Sequence, residues 1–135
     1  RDGKPVAPLL GRLADYDGGA SDFSFGAFSF LLAYSDHVVC YVFTPVDHLN
    51  SRCEIYWLVR SDAVAGSDYD VEELTWLWDV TTEADKTIIV NNWKGVRSRY
   101  YTPGPFSDME RAERIYVEWI LKELARPQAG TGKDA

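Results

Sequence analysis

Apolar side chains recur with two different periods along the chain. Between residues 23 and 60 they alternate with polar side chains, which is the pattern of half-buried β-strands. The strand-like runs are residues 23–32, 38–44 and 52–60. We expect a β-bulge at Gly26–Ala27, where the alternation changes parity within the first run. Because the runs follow one another closely, they predict an antiparallel meander.

From about residue 70 the apolar positions instead follow the 3.6-residue period of a helix. A first helix is predicted from residue 70 or 71 to about Trp93, with an interruption near Val80–Thr82, where three β-branched side chains meet. After a rigid turn at Thr102–Pro105, the residues from Ser107 to Glu110 have the form of a capping box that opens a final helix. The expected buried stripe of that helix consists of Met109, Ala112, Ile115, Tyr116, Trp119 and Ile120.

Strands followed by two long helices predict an α+β fold. At 135 residues the chain is long enough for one domain with its own core, which we place at residues 1–125. Residues 126–135 have the composition of a disordered tail.

Charge and hydropathy exclude two classes of partner. The net charge of −7 argues against nucleic acid, because phosphate binding requires a basic surface. No apolar run reaches the roughly 20 residues that a membrane span needs, and no secretory signal opens the sequence, so a cytoplasmic protein is expected.

One carboxylate lies within the apolar stripe of the first helix. Asp85 shares this stripe with six other positions, which are Leu74, Trp78, Thr81, Ile88, Ile89 and Asn92. A buried charge without a partner is costly, so Asp85 requires a cation, a metal ion or a hydrogen-bond network. Periodicity does not decide among these three.

The residues that follow Asp85 resemble a known family. They form the pattern D-x(9)-G-V-x-S-R-x-Y-x-P-G-P-x-S, in which Gly95, Ser98, Pro103 and Ser107 are fixed points. This pattern resembles the C-terminal end of the catalytic domain of Rieske-type ring-hydroxylating oxygenase α subunits, in the branch of the carnitine and choline monooxygenases. The resemblance runs from about residue 5 to about residue 124. It departs at Trp93, where the family usually has Gln.

The resemblance implies an enzyme and assigns one residue of this chain to its metal site. Asp85 would be the carboxylate of a two-His-one-carboxylate Fe(II) site whose histidines lie upstream. A [2Fe–2S] Rieske cluster would lie in an upstream domain, since Cys40 and Cys53 are isolated cysteines that cannot hold one. The implied fold is part of a helix-grip domain, in which an antiparallel sheet wraps around the C-terminal helix and leaves a cavity.

The implied protein is the terminal oxygenase component of a Rieske non-haem iron system. It would hydroxylate, dihydroxylate or demethylate an organic substrate with O2, take electrons from a reductase or ferredoxin, and form a homotrimer. The present chain would contribute one iron ligand and part of the substrate cavity, and it would be inactive alone. Three strands would cover only part of such a cavity, so further strands or a partner are expected to complete it.

Other residues are candidates for the same site. Asn92, two turns after Asp85, is a candidate to hold the carboxylate, and Trp78 a candidate to line the cavity. Asp79 and Glu83 are alternative carboxylates. The two histidines, at positions 37 and 48, are eleven residues apart and are not expected to bind one ion together.

A second hypothesis comes from another functional class. A stand-alone helix-grip module could bind an apolar small molecule without redox chemistry. In that protein Asp85 would pair with an arginine or with an amine of the ligand.

Overall fold

The computed structural model describes residues 2–127. Four strands precede two helices: β1 is Ala20–Phe25, β2 is Ser29–Tyr34, β3 is Val38–Pro45 and β4 is Ser51–Leu58. The helices are α1, Val71–Val96, and α2, Arg111–Leu124, which follows a 3₁₀ turn at Asp108–Glu110. The α+β class is confirmed.

The strands form one antiparallel sheet in the order β1-β2-β3-β4, which confirms the meander. The predicted bulge at Gly26–Ala27 is wrong, because the chain reverses there: Phe25 pairs with Ser29 across a tight turn. Gly26 has φ +62°, a left-handed conformation that glycine adopts without the steric cost of a Cβ. The change of parity in the sequence therefore marks a hairpin, and the sheet has four strands where three were expected.

Strand register places one set of side chains on the face of the sheet that receives α1. Across β2, β3 and β4 the pairing aligns Leu32, Val39 and Trp57 in one row, and Phe30, Tyr41 and Ile55 in the next. The core consists of Val39, Tyr41 and Trp78, with the remaining four of these side chains, Tyr34 and Phe43 packed around it. Trp78 is the contribution of α1 to this core.

Helix α1 runs without a break through Val80–Thr82, so the predicted interruption is wrong. Within the unbroken helix, the Thr81 hydroxyl donates a hydrogen bond to the carbonyl of Leu77 at 2.9 Å, a contact that a helical Thr side chain can form with the preceding turn. Three β-branched residues lower helix propensity by only a few tenths of a kcal/mol each, too little to end a helix that packs on a sheet.

The described chain divides into two compact units, with the boundary between Asn92 and Trp93. The second unit contains the end of α1, the Thr102–Pro105 turn and α2. The predicted capping box is confirmed: the backbone N–H of Ser107 donates to Glu110 Oε2 at 2.7 Å, and this hydrogen bond is the main reason that the pKa of Glu110 is lowered.

The predicted buried stripe of α2 is wrong for this chain. Met109, Ile115, Tyr116 and Trp119 are all exposed. Their spacing describes an amphipathic helix, but amphipathicity alone does not supply the surface that covers it. The predicted disordered tail lies outside the described residues from position 128 onward, and no described helix has the length and apolar character to cross a membrane.

Candidate functional site

Asp85 lies on the side of α1 that faces the sheet. It comes three residues after Thr82 and seven after Trp78, separations that keep all three on one face of a helix. Thr82 touches the sheet directly, because its hydroxyl and the Tyr41 hydroxyl are 2.8 Å apart and share a hydrogen bond. Asp85 is therefore one helical turn beyond the last hydrogen bond between helix and sheet.

The expected burial of the Asp85 stripe is wrong from Thr81 onward. Leu74 and Trp78 are buried, whereas Asp85 and Asn92 are exposed, and Ile88 is 65 % exposed. All side chains of α1 after Thr82 are exposed within residues 2–127, so the apolar cover of the helix is confined to its first three turns. The helical period of the sequence identified which face of α1 packs on the sheet. How far along the helix this face is buried depends on which strands lie against it.

The Asp85 carboxylate forms no hydrogen bond or ion pair with any residue between positions 2 and 127. Its charge nevertheless reaches the sheet. The pKa of Tyr41 is raised mainly by burial, and the nearby Asp85 carboxylate adds to this shift, while the hydrogen bond from Thr82 opposes it. An unpaired carboxylate on this face remains available to a cation.

The alternative carboxylates lie on the same helix. Glu83 accepts a hydrogen bond from the Lys86 ammonium at 3.3 Å on the exposed surface. Asp79 is exposed and contributes less than Asp85 to the raised pKa of Tyr41. Asn92 forms no hydrogen bond to Asp85 among the described residues.

A buried polar network that the sequence did not reveal connects the β2–β3 turn to α1. Asp36 and His37 are only 2 % and 8 % exposed. One oxygen of Asp36 accepts the backbone N–H of Val6 at 2.7 Å, and the other accepts His37 Nδ1–H at 2.8 Å. On the opposite side of the imidazole, Nε2 accepts the indole N–H of Trp78 at 3.3 Å.

The chemistry of these groups fixes the direction of each hydrogen bond. A carboxylate only accepts and an indole N–H only donates, so His37 carries its proton on Nδ1 and presents a lone pair at Nε2. The Tyr34 ring stacks on the imidazole at 5.1 Å, and Trp78 meets it edge-on at 6.0 Å. Both imidazole nitrogens are thus occupied, and His37 has no lone pair free for a metal ion.

The signal for this network was weak in the sequence. An adjacent Asp-His pair in a polar turn suggests a surface hairpin, and the partner indole is 41 positions away. His48 lies exposed in the β3–β4 loop. Among residues 2–127 no three His, Cys, Asp or Glu side chains come close enough to hold one metal ion.

The described residues could supply only part of the ligand set of a mononuclear iron site. A carboxylate oxygen is one of the three ligands of the two-His-one-carboxylate site, and Asp85 offers one that is unpaired. Both imidazoles would have to come from residues other than His37 and His48.

Trp93, the departure from the family pattern, lies in the second unit. The Arg97 guanidinium stacks over the Trp93 ring at 4.5 Å from its centroid, a cation–π contact. In this chain the indole therefore stabilises the end of α1 by packing against the basic segment that follows it.

Comparison with known proteins extends over most of the chain. The catalytic domain of the ring hydroxylating alpha subunit family matches residues 27–126. The glycine betaine monooxygenase oxygenase subunit of Pseudomonas aeruginosa strain UCBPP-PA14 is 34 % identical over 125 residues, which are 91 % of this chain and 29 % of that protein. The protein of the same name from Chromohalobacter salexigens is 35 % identical over 120 residues, which are 87 % of this chain and 27 % of that protein. The chain spans less than a third of the length of these relatives.

Proposed function

This chain belongs to the catalytic-domain family of ring hydroxylating alpha subunits, and we propose that it forms the C-terminal part of the catalytic domain of a Rieske-type monooxygenase. We propose glycine betaine, or a quaternary ammonium acid of similar size, as the substrate, because the relatives are named for it. O2 is the co-substrate, and a reductase or ferredoxin supplies electrons.

Asp85 is the residue of this chain that acts at the reaction centre. The observation that carries this assignment is its carboxylate, which is unpaired within residues 2–127 and lies on the sheet-facing side of α1. It would be the anionic ligand of a mononuclear Fe(II), with the two imidazoles and the [2Fe–2S] Rieske cluster supplied by other parts of the protein. When bound, the iron would supply the chemistry that activates O2.

The aromatic face of the sheet would form one wall of the substrate site. Phe30, Tyr41 and Phe43 stack on one another, with Phe30 and Tyr41 4.8 Å apart and nearly parallel. Tyr41 is buried in the core, whereas Phe30 and Phe43 are half-buried, and their rings are the ones that can face a quaternary ammonium group. Asn92 and Trp78 remain candidates to support the carboxylate and the cavity, and a homotrimer remains the expected assembly.

The proposal is tested with the full-length protein, its reductase and NAD(P)H. We expect O2 uptake that depends on glycine betaine. Asp85→Ala should abolish this uptake and deplete mononuclear iron, while the Rieske absorption stays intact, because the two iron centres have separate ligands. Glu83→Ala is the matched control, since its exposed pair with Lys86 is worth at most about 1 kcal/mol.

Two outcomes would contradict the proposal. Full activity in Asp85→Ala would place the carboxylate ligand elsewhere, with Asp79 the next candidate. Iron-dependent oxygenation of other compounds, without any of glycine betaine, would reject the substrate and leave the metal assignment in place.

The binding-module hypothesis expected Asp85 to pair with an arginine or with an amine of the ligand. Among residues 2–127 the arginines that form ion pairs do so with other carboxylates, and none of them pairs with Asp85.

A further inference from the structure

Among residues 2–127, two hydrogen bonds that attach α1 to the sheet and to the β2–β3 turn are made from the face of the helix that carries Asp85. The first joins Trp78 to His37, and the second joins Thr82 to Tyr41. From Trp78 to Asp85 is seven residues, which is about 10 Å along a helix and only about 20° around it. The two hydrogen bonds therefore fix both the rotation and the axial position of the segment that presents the carboxylate.

The first of these hydrogen bonds has a rigid support. His37 cannot turn without breaking its hydrogen bond to Asp36, and Asp36 is also held by the backbone of Val6. The stacked Tyr34 ring restricts the imidazole plane further. All donors and acceptors in this network are satisfied, which is the condition under which a buried polar network rigidifies its surroundings.

Beyond Thr82, the sheet-facing side chains of α1 in the first unit are exposed. The orientation of Asp85 therefore depends on the part of α1 up to Thr82, where Leu74 and Trp78 are buried and the two hydrogen bonds are made. A metal ligand has to be held within about 0.5 Å of its working position by the groups that support it.

We infer that Asp36, His37 and Tyr41 are positioning residues for the Asp85 carboxylate, acting through Trp78 and Thr82 on the orientation of α1. None of them touches the metal ion. This inference rests on the proposed function, because it gives Asp85 the role of iron ligand.

The chain offers a matched pair of substitutions for the test. Trp78→Phe keeps an aromatic ring and removes the N–H that binds His37. Trp57→Phe makes the same chemical change at an indole N–H that is buried and has no hydrogen-bond partner among residues 2–127. The second variant therefore controls for the loss of ring size and for general disturbance of the core.

The measurement is the dissociation constant of Fe(II) at the mononuclear site of the full-length protein, depleted of that iron and titrated without oxygen. We expect Trp78→Phe to weaken binding about tenfold, the lower end of the range for groups that orient metal ligands, and Trp57→Phe to leave it unchanged within about twofold. Equal Fe(II) affinity in wild type and Trp78→Phe overturns the inference. Equal weakening in both tryptophan variants also overturns it, since that result indicates a merely structural role.

Tyr41→Phe provides a second test that does not depend on whether Trp78→Phe folds. It keeps the stacked ring and removes only the hydroxyl that binds Thr82. We expect about tenfold weaker Fe(II) binding here as well, and an unchanged dissociation constant overturns the inference. If the wild-type protein takes up no iron beyond its Rieske cluster, the proposed function itself fails, a result distinct from failure of the positioning role alone.

Discussion

The two halves of α1 both carry large apolar side chains, but their surroundings are very different. From Val71 to Thr82 the helix packs on the sheet, and Leu74 and Trp78 are buried there. From Glu83 to Asn92 it is exposed, although this half contains Ile88, Ile89 and Val90. The first half therefore attaches the helix to the sheet. The second half carries the proposed iron ligand, Asp85, on a face whose apolar side chains are exposed in the described structure.

Substitutions to alanine in the two halves give the largest expected contrast. Trp78→Ala should cost about 3–5 kcal/mol of unfolding free energy, because it opens a cavity beside Val39 and Tyr41 and leaves His37 Nε2 unpaired. Ile88→Ala, at a side chain 65 % exposed, should change the stability of the 135-residue chain by no more than about 0.5 kcal/mol. Urea denaturation of the two variants measures both free energies of unfolding. Comparable losses would mean that the second half of α1 also packs against other parts of the chain.

A charged side chain introduced in the exposed half of α1 should affect the stability of the 135-residue chain and of the full-length protein differently. Ile89→Lys should leave the stability of the 135-residue chain nearly unchanged, because the side chain is 61 % exposed. In the full-length protein we expect a loss of about 2–4 kcal/mol, since the apolar face would be covered there and a buried unpaired charge is costly. Thermal unfolding of both forms is the measurement, and a neutral effect in the full-length protein would show that this face stays open.

The smallest expected effect concerns pH. Burial, with help from the Asp85 charge, raises the pKa of Tyr41 above its ordinary value of 10.0. A phenol whose pKa is higher in the folded state contributes stability that is complete below pH 10.0 and is lost as the pH rises through the folded-state pKa. Tyr41→Phe should therefore reduce the fall in stability above about pH 10. The pH titration of absorbance at the tyrosinate band should show, in the variant, one fewer of the tyrosines that ionise at the highest pH.

Local pattern was sufficient for much of the fold. Alternation located β3 and β4, the 3.6-residue period located both helices, and Ser107 with Glu110 identified the cap before α2. The hairpin at Gly26 was missed because a parity change has two explanations, a bulge or a reversal, and only strand pairing distinguishes them. The exposed stripe of α2 was missed for a related reason, since a sequence period describes which side chains share a face and not what covers them.

The same distinction between local pattern and tertiary contact applies to the candidate site. That Asp85 shares a helix face with Trp78 could be predicted from the sequence, because this relation depends only on the helical period and on their separation of seven positions. The hydrogen bonds from Trp78 to His37, from His37 to Asp36, and between Tyr41 and Thr82 could not be predicted in this way and are seen only in the folded chain. These contacts join positions up to 41 residues apart, and the directional hydrogen bonds of an indole, an imidazole and a carboxylate form only where the packing of α1 on the sheet brings them together.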